Sequence, residues 1–157
     1  MKLITNKANF TQLDQLLAAK NWKDADQETT KLMLKIAARE KNNYLRVEDC
    51  RNFPREELRI IDQLWLQYSQ NKFGFSVQKE IWLKHSEKLD GIEQWDIYVK
   101  LAEEVGWKKG DKWLNYDELS FDILSKKGHI PSCFDCVYLG WDLWILGEGY
   151  SFLFSNL

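Results

Sequence analysis

Apolar residues recur every three or four positions along most of this chain, and sustained every-second-residue alternation is missing. Phe10, Leu13, Leu16 and Leu17 form one short stripe. Trp22, Ala25, Thr29, Leu32, Met33 and Ile36 form a longer one. Lys20-Asn21 between them reads as a tight turn, which predicts an antiparallel helical hairpin. The second helix is expected to end near Glu40, where Lys41-Asn42-Asn43 breaks the period. Residues 44–52 are polar with three apolar anchors, Tyr44, Leu45 and Val47, and have room for a short helical turn. Pro54 suits the first position of a helix, with Asn52 or Phe53 near the cap. Leu58, Ile61, Trp65 and Tyr68 then repeat at helical spacing, and residues 69–72 read as a polar turn.

Ser76 is the expected N-cap of a helix carrying Val77, Ile81 and Trp82. A further helix is predicted over residues 92–105, with Gly106 placed to end it. Residues 107–128 are less regular, and Gly128-His129-Ile130-Pro131 is a breaker cluster. Residues 134–157 are strongly apolar but interrupted by Gly140, Gly147 and Gly149. They read as a final helix or an irregular packed tail. The expected fold class is all-α, as a single compact helical domain over residues 1–157, a length that can bury a core without staples.

Composition narrows the function classes. The net charge of −2 argues against a nucleic-acid partner, which selects for a basic excess. Apolar runs stay short of the 18 residues a membrane span requires. Residues 1–10 do not read as a secretory or transit signal, so a cytoplasmic location is expected. Cys50, Cys133 and Cys136 make no disulfide framework. Cys133-x-x-Cys136 lacks a second pair for zinc, and no βαβ pattern surrounds it as a redox motif would require. The three are expected to be reduced thiols. The unusual figure is 14% aromatic residues, including 8 Trp. That exceeds what a core of this size needs, and some rings are expected to line a flat apolar ligand site.

Catalytic constellations are not evident. There is no G-x-S-x-G, no phosphate-cradling glycine loop and no acid placed to orient either histidine. Asp24, Asp26 and Glu28 read as complements of a helix dipole. Asp62, among apolar neighbours, is expected to be partly buried and hydrogen bonded. His129 before Ile130-Pro131 is first a structural residue and second a ligand-contacting one. His85 reads as solvated or dipole-matched. Lys108, Lys109, Lys112, Lys126 and Lys127 bracket the aromatic stretch, where they can pair with ligand carboxylates.

The run Phe53-Pro54, Leu58, Ile61-Asp62-Gln63-Leu64-Trp65, Ser69, Lys72-Phe73-Gly74-Phe75-Ser76-Val77-Gln78, Ile81-Trp82 closely resembles the genomes-uncoupled-four family of porphyrin-binding proteins. Trp22-Lys23-Asp24-Ala25-Asp26 with Thr29-Thr30 is similar to that family's first hairpin. Val105-Gly106-Trp107, Trp113, Tyr116 and Gly128-His129-Ile130-Pro131 follow in its order. The resemblance covers residues 10–131, and the Phe-Gly-Phe-Ser-Val-Gln block is its most specific element. In that block Gly74 is expected to allow a tight approach, Ser76 to cap, and the phenylalanines to pack.

The resemblance implies a helical domain shaped like a cupped hand, with a ligand groove between two mobile loops. It implies binding of protoporphyrin IX or Mg-protoporphyrin IX, or of a bilin, by a protein that is not an enzyme. It also implies stimulation of magnesium chelatase on the route to chlorophyll, through that enzyme's large subunit, in a cyanobacterial-type cell. A monomer is expected. Carried over by position, the first loop supplies Tyr44, Leu45 and Val47. The second supplies Trp107, Trp113, Tyr116, Phe121, Lys126, Lys127 and His129, with Trp113 and Tyr116 stacking on the macrocycle. Water, rather than a side chain, is the expected axial group of a magnesium porphyrin. The family's pattern often has arginines just after the Gly-His-x-Pro element. Here that stretch reads Ser132-Cys133-Phe134-Asp135, with no cation, so Lys126 and Lys127 are the expected substitutes, without arginine's bidentate fork. This departure keeps a second reading open, that of a divergent paralogue acting as a signalling or sensor module for a bilin, another apolar ligand or a protein partner.

Overall fold

A computed structural model describes residues 1–91, 94–132 and 144–157. Its described helices are α1 (Thr11–Ala18), α2 (Trp22–Ile36), α3 (Val47–Arg51), α4 (Arg55–Ser69), α5 (Phe75–Leu83), α6 (Trp95–Val105) and α7 (Trp144–Ser155). A two-residue antiparallel ribbon, β1 (Lys108–Lys109) and β2 (Lys112–Trp113), and a 3-10 turn at Tyr116–Glu118 follow α6. The all-α class holds. The ribbon is too short to show alternation, which is why periodicity did not reveal it.

The first layer is α1, α2 and α4. Lys20 takes a positive φ of 57° and turns the chain between the first two helices. Asn21 caps α2 by accepting the Asp24 N–H. Phe10, Leu13 and Leu17 are fully buried, against Ala25, Leu32 and Met33 of α2 and Leu58, Ile61 and Trp65 of α4. Trp22 lies 6.1 Å from Trp65, and both meet Phe73 edge-on. The Trp65 Nε1–H donates to Thr29 Oγ1 at 3.0 Å, so the indole is buried without an orphaned donor.

Helix boundaries shift for local reasons. α2 stops at Ile36, short of Glu40, because Ala38 adopts φ 55° and the Arg39 N–H reaches back to Leu34 O. α4 begins at Arg55, with Pro54 extended and its carbonyl accepting from the Leu58 N–H. The short helical turn allowed for residues 44–52 is α3. Gly106, in the left-handed region at φ 90°, ends α6 as expected. Ile92, where that helix was expected to begin, lies outside the described residues, as do Cys133, Cys136 and Gly140.

The second layer is α5, α6 and α7, with α7 also packed on α3. Gly147 is placed where a Cβ would sit 2.6 Å from the Gln94 carbonyl oxygen, so glycine is what lets α7 cross the start of α6. Asn156 donates to the Cys50 carbonyl at 2.9 Å and pins the end of α7 to α3. The Trp144–Ser155 part of the C-terminal stretch is therefore a packed helix. No helix among the described residues is long and apolar enough to cross a membrane.

Two sequence expectations are corrected here. Ser76 does not cap α5. The cap position is Gly74, and the carboxylate of Asp62, reaching across from α4, accepts the Ser76 N–H at 2.8 Å. A side chain from another helix does the work expected of the local serine, and sequence spacing cannot disclose it. Asp26, expected only to complement the α2 dipole, is 1% exposed and serves a different contact. It accepts the Ser132 N–H at 2.6 Å, the Ser132 hydroxyl at 2.9 Å and the Tyr116 hydroxyl at 3.0 Å.

Candidate functional site

The irregular segment between α6 and Ser132 is held by the Phe-Gly-Phe-Ser-Val-Gln block. The Gly74 N–H donates to Ile130 O at 3.2 Å, and the Gly128 N–H donates to Lys72 O at 2.9 Å. Gln78, fully buried, gives both Nε2 protons, to Gly128 O at 2.9 Å and Pro131 O at 2.8 Å. The Ile130–Pro131 bond is cis. A Cβ on Gly74 would lie 2.9 Å from Asp62 Oδ1 at a φ of +136°, so both space and backbone demand glycine. The block thus anchors the turn that returns from the second segment, and its specificity in sequence reflects that anchoring.

His129 is buried inside this turn. Its Nδ1 is 2.6 Å from Val105 O, and its Nε2 accepts the Ser120 N–H at 3.2 Å. One tautomer satisfies both contacts, with Nδ1 protonated and Nε2 bare. Burial holds the imidazole below its ordinary pKa, and the charges of Lys109 and Lys126 add to that. The Trp107 indole, also buried, donates to His129 O at 2.7 Å. Both residues support the segment from within.

Between α2 and the second segment lies a cleft of about 290 Å³ lined by Gln27, Thr30, Lys31, Leu34, Asn43 and Tyr116. One wall is a face of α2. Asn43 comes from the turn before α3, where it holds φ 60°. Tyr116 closes the other side, its ring 5.2 Å from Phe121 and its hydroxyl on Asp26. Lys23 Nζ sits 5.9 Å from the Tyr116 ring centroid and 5.7 Å from that of Phe121. Such an arrangement offers one aromatic wall, an apolar contact at Leu34 and cations along the α2 rim. It suits a flat, largely apolar molecule with acidic groups at its edge. The volume is at the small end for a ligand of drug size, so a larger flat ligand extends beyond the cleft into solvent or along the flanking segments.

The ten residues singled out from sequence do not share one surface. Tyr116 lines the cleft and Phe121 packs behind it. Tyr44 turns its ring under Arg39, 4.9 Å from the guanidinium carbon, while Arg39 Nε donates to Tyr44 O at 3.3 Å. Leu45 is fully buried and Val47 half-buried at the start of α3. In the first segment it is their neighbour Asn43 that reaches the cleft. Trp113 stacks on Tyr98 at 5.8 Å and 11° and lies 5.8 Å from Trp95. It belongs to a ring cluster continued by Trp107 and Tyr150, whereas Tyr116 belongs with Phe121 and Lys23. Lys126 donates to Glu103 O at 3.2 Å, and Lys127 pairs with Glu80 at 2.8 Å on α5. These two lysines are thus engaged with α6 and α5.

The residues sequence reasoning passed over are Lys23, Gln27, Thr30, Lys31 and Leu34. Lys23, Gln27 and Lys31 are exposed and Thr30 half-buried on a face that the dominant apolar stripe of α2 leaves outward, and Leu34 meets that face from the core, where it is buried. The polar residues of this face carry no apolar period, so nothing in the sequence marked it as a site.

A model of the GUN4-like family matches residues 4–139. The chain belongs to this family. It is 31% identical over 128 residues to the uncharacterized protein ycf53 of Porphyra purpurea, covering 80% of this chain and 50% of that one. It is 38% identical over 77 residues to the chloroplastic tetrapyrrole-binding protein of Arabidopsis thaliana, covering 48% of this chain and 29% of that one. Its fold superposes on the ligand-free structure of Arabidopsis thaliana GUN4 with a TM-score of 0.69 at 26% identity, covering 92% and 93% of the two chains. GUN4 from Chlamydomonas reinhardtii matches the fold equally well, with a TM-score of 0.69 at 24% identity. The chain spans about half the length of the first curated relatives it matches, the Ycf53-like protein of Synechocystis among them.

Proposed function

We propose that this GUN4-like chain is a non-catalytic tetrapyrrole-binding protein that holds its ligand against Tyr116 in the cleft beside α2. The observation that carries this is the cleft itself, with an aromatic wall on one side and a helix face bearing cations on the other. The Arabidopsis relative, a tetrapyrrole-binding protein, supports the same ligand class. A porphyrin face is broad and apolar, so ring stacking on Tyr116 supplies contact while its acidic groups stay at the rim. Protoporphyrin IX and Mg-protoporphyrin IX are the proposed ligands, and the large subunit of magnesium chelatase is the proposed partner in regulating chlorophyll formation. Among the expected site residues, Tyr116 meets the ligand with Phe121 packed behind it, and Leu45, Trp107 and His129 hold the two segments in place. Trp113 contacts ligand at the outer end of the second segment, with Tyr44 and Val47 at the first.

A second reading, a sensor retuned to a bilin, draws on a specific feature. Lys126 and Lys127, the substitutes for cations lacking after Pro131, are engaged with α6 and α5. The two readings separate by titration with deuteroporphyrin, its magnesium form and a bilin, following tryptophan quenching and the visible band of the ligand. Saturable porphyrin binding near micromolar, about −8 kcal/mol, supports the first. A shift with bilin alone supports the second, and no response to any of the three rejects the tetrapyrrole function.

A further inference from the structure

α2 presents cations to the cleft in a defined order. Lys23, Gln27, Thr30, Lys31 and Leu34 succeed one another at intervals of one to four residues along one broad face. The last four line the cleft, and Lys23 lies one turn before them, beside the Tyr116 and Phe121 rings. Eight residues separate the two lysines, so they stand about 12 Å apart along the helix axis at the usual rise.

Both lysines are loosely held. Lys31 Nζ lies 4.0 Å from Glu28 Oε2 and its side chain is 72% exposed. Lys23 Nζ lies 3.7 Å from Asp117 Oδ1, on a side chain that is 92% exposed. Neither distance is a hydrogen bond. The Lys23–Asp117 pair is exposed and contributes little, so another anion can displace it at small cost. Glu28 is largely buried, its side chain 11% exposed, so a ligand carboxylate joins Lys31 beside it rather than displacing it. Neighbouring lysines are committed more tightly. Lys108 bonds Glu103 at 2.8 Å, Lys112 bonds Glu118, and Lys127 bonds Glu80 at 2.8 Å.

We infer that Lys23 and Lys31 form the carboxylate-recognition edge of the cleft, selecting flat apolar ligands that carry free carboxylates over their neutral esters. The inference rests on the proposal that the cleft takes a tetrapyrrole. Each ammonium acts as a mobile point charge, able to follow a carboxylate over a range of positions rather than fixing it bidentately. Asp117, 92% exposed, is the protein anion a ligand carboxylate replaces, and it therefore lowers affinity for an acidic ligand.

The test titrates deuteroporphyrin and its dimethyl ester, in the same buffer and co-solvent, into the native chain and into Lys23→Gln, Lys31→Gln, Asp117→Asn and, as a control on α6, the exposed Lys100→Gln. The native chain is expected to bind the diacid at least about tenfold more tightly than the ester, the scale of one charge-assisted contact. Each of the first two substitutions should weaken diacid binding several-fold and leave ester binding unchanged. Asp117→Asn should tighten diacid binding, and Lys100→Gln should change neither ligand. Equal binding of diacid and ester by the native chain overturns the inference while leaving the tetrapyrrole reading intact. So does an equal loss of both ligands in the lysine variants, because that marks lost packing rather than lost charge. Failure of the native chain to bind deuteroporphyrin removes the tetrapyrrole reading and this inference with it. The lysines are exposed, so unchanged urea midpoints should accompany every variant.

Discussion

The hydroxyl of Tyr116 donates to the buried carboxylate of Asp26 across 3.0 Å, joining the second segment to α2 at the floor of the cleft. The same carboxylate holds Ser132 through its N–H and its hydroxyl. One acidic side chain therefore ties both the middle and the end of the segment between α6 and Ser132 to the first hairpin.

Removing the two partners should have unequal effects. Tyr116→Phe leaves Asp26 with both Ser132 bonds and should cost about 1.5 kcal/mol. Asp26→Ala strands the Ser132 N–H, the Ser132 hydroxyl and the Tyr116 hydroxyl together and should cost roughly 3 kcal/mol or more. Urea denaturation of the two variants checks the order. A cost for Tyr116→Phe equal to that of Asp26→Ala would mean that the phenol, not the carboxylate, organises the junction.

His129 predicts a pH dependence of stability. Burial lowers its folded pKa below the unfolded value near 6.5, so the unfolded chain binds the extra proton first. The associated stability is complete above about pH 6.5 and falls as pH drops through the folded value. The geometry gives the same answer, since a protonated Nε2 can no longer accept the Ser120 N–H. Urea midpoints should fall between pH 7.5 and 5.5 in the native chain, and the fall should shrink in His129→Gln. An undiminished slope in the variant would assign the effect to other groups.

The Gln78 carboxamide gives a sharper chemical test. Its Nε2 faces two carbonyl oxygens, those of Gly128 and Pro131. Gln78→Glu places an acceptor where two donors are needed, in a fully buried site. It should destabilise the chain by about 3 kcal/mol at neutral pH, and by less as pH falls and the new carboxyl protonates. A variant as stable as the native chain at pH 7.5 would remove Gln78 from its anchoring role.

The helices α1, α2, α4, α5 and α6 were legible because each core face repeats along a single helix, as Leu58, Ile61 and Trp65 do on α4, whereas α3 and α7 were left open between a helix and irregular chain. What the sequence concealed were contacts between distant segments. Asp26 reaches Ser132 across 106 positions, and Asp62 reaches Ser76 across 14. Asp26 sits where the local pattern suggests only a helix-dipole role. Asp62 is buried and hydrogen bonded as its apolar neighbours suggested, but its partner is set by packing and not by local pattern. The cleft was half legible for the same reason. Tyr116 stands out as an aromatic residue in an irregular stretch, whereas Lys23 and Lys31 look like ordinary solvated lysines until the segment carrying Tyr116 is folded against α2.

Asp62 and Gly74 allow the clearest separation of charge from shape. The Asp62 carboxyl is raised above its ordinary pKa by burial, an effect that the Ser76 N–H partly offsets. Folding therefore favours the protonated form, and this group's contribution to stability declines as pH rises through the folded value. Asp62→Asn keeps an oxygen for the Ser76 N–H and removes the buried charge. It should change stability by less than about 1 kcal/mol at pH 7. Gly74→Ala keeps the charge but places a methyl group 2.9 Å from the same oxygen at a φ of +136°. It should cost about 2–3 kcal/mol or more, from backbone strain and lost cap geometry together. The double variant checks the coupling. If the strain lies in the backbone, Asp62→Asn does not rescue Gly74→Ala, because φ at residue 74 is unchanged. Full rescue would show instead that the carboxylate charge, and not the backbone, is what requires glycine there.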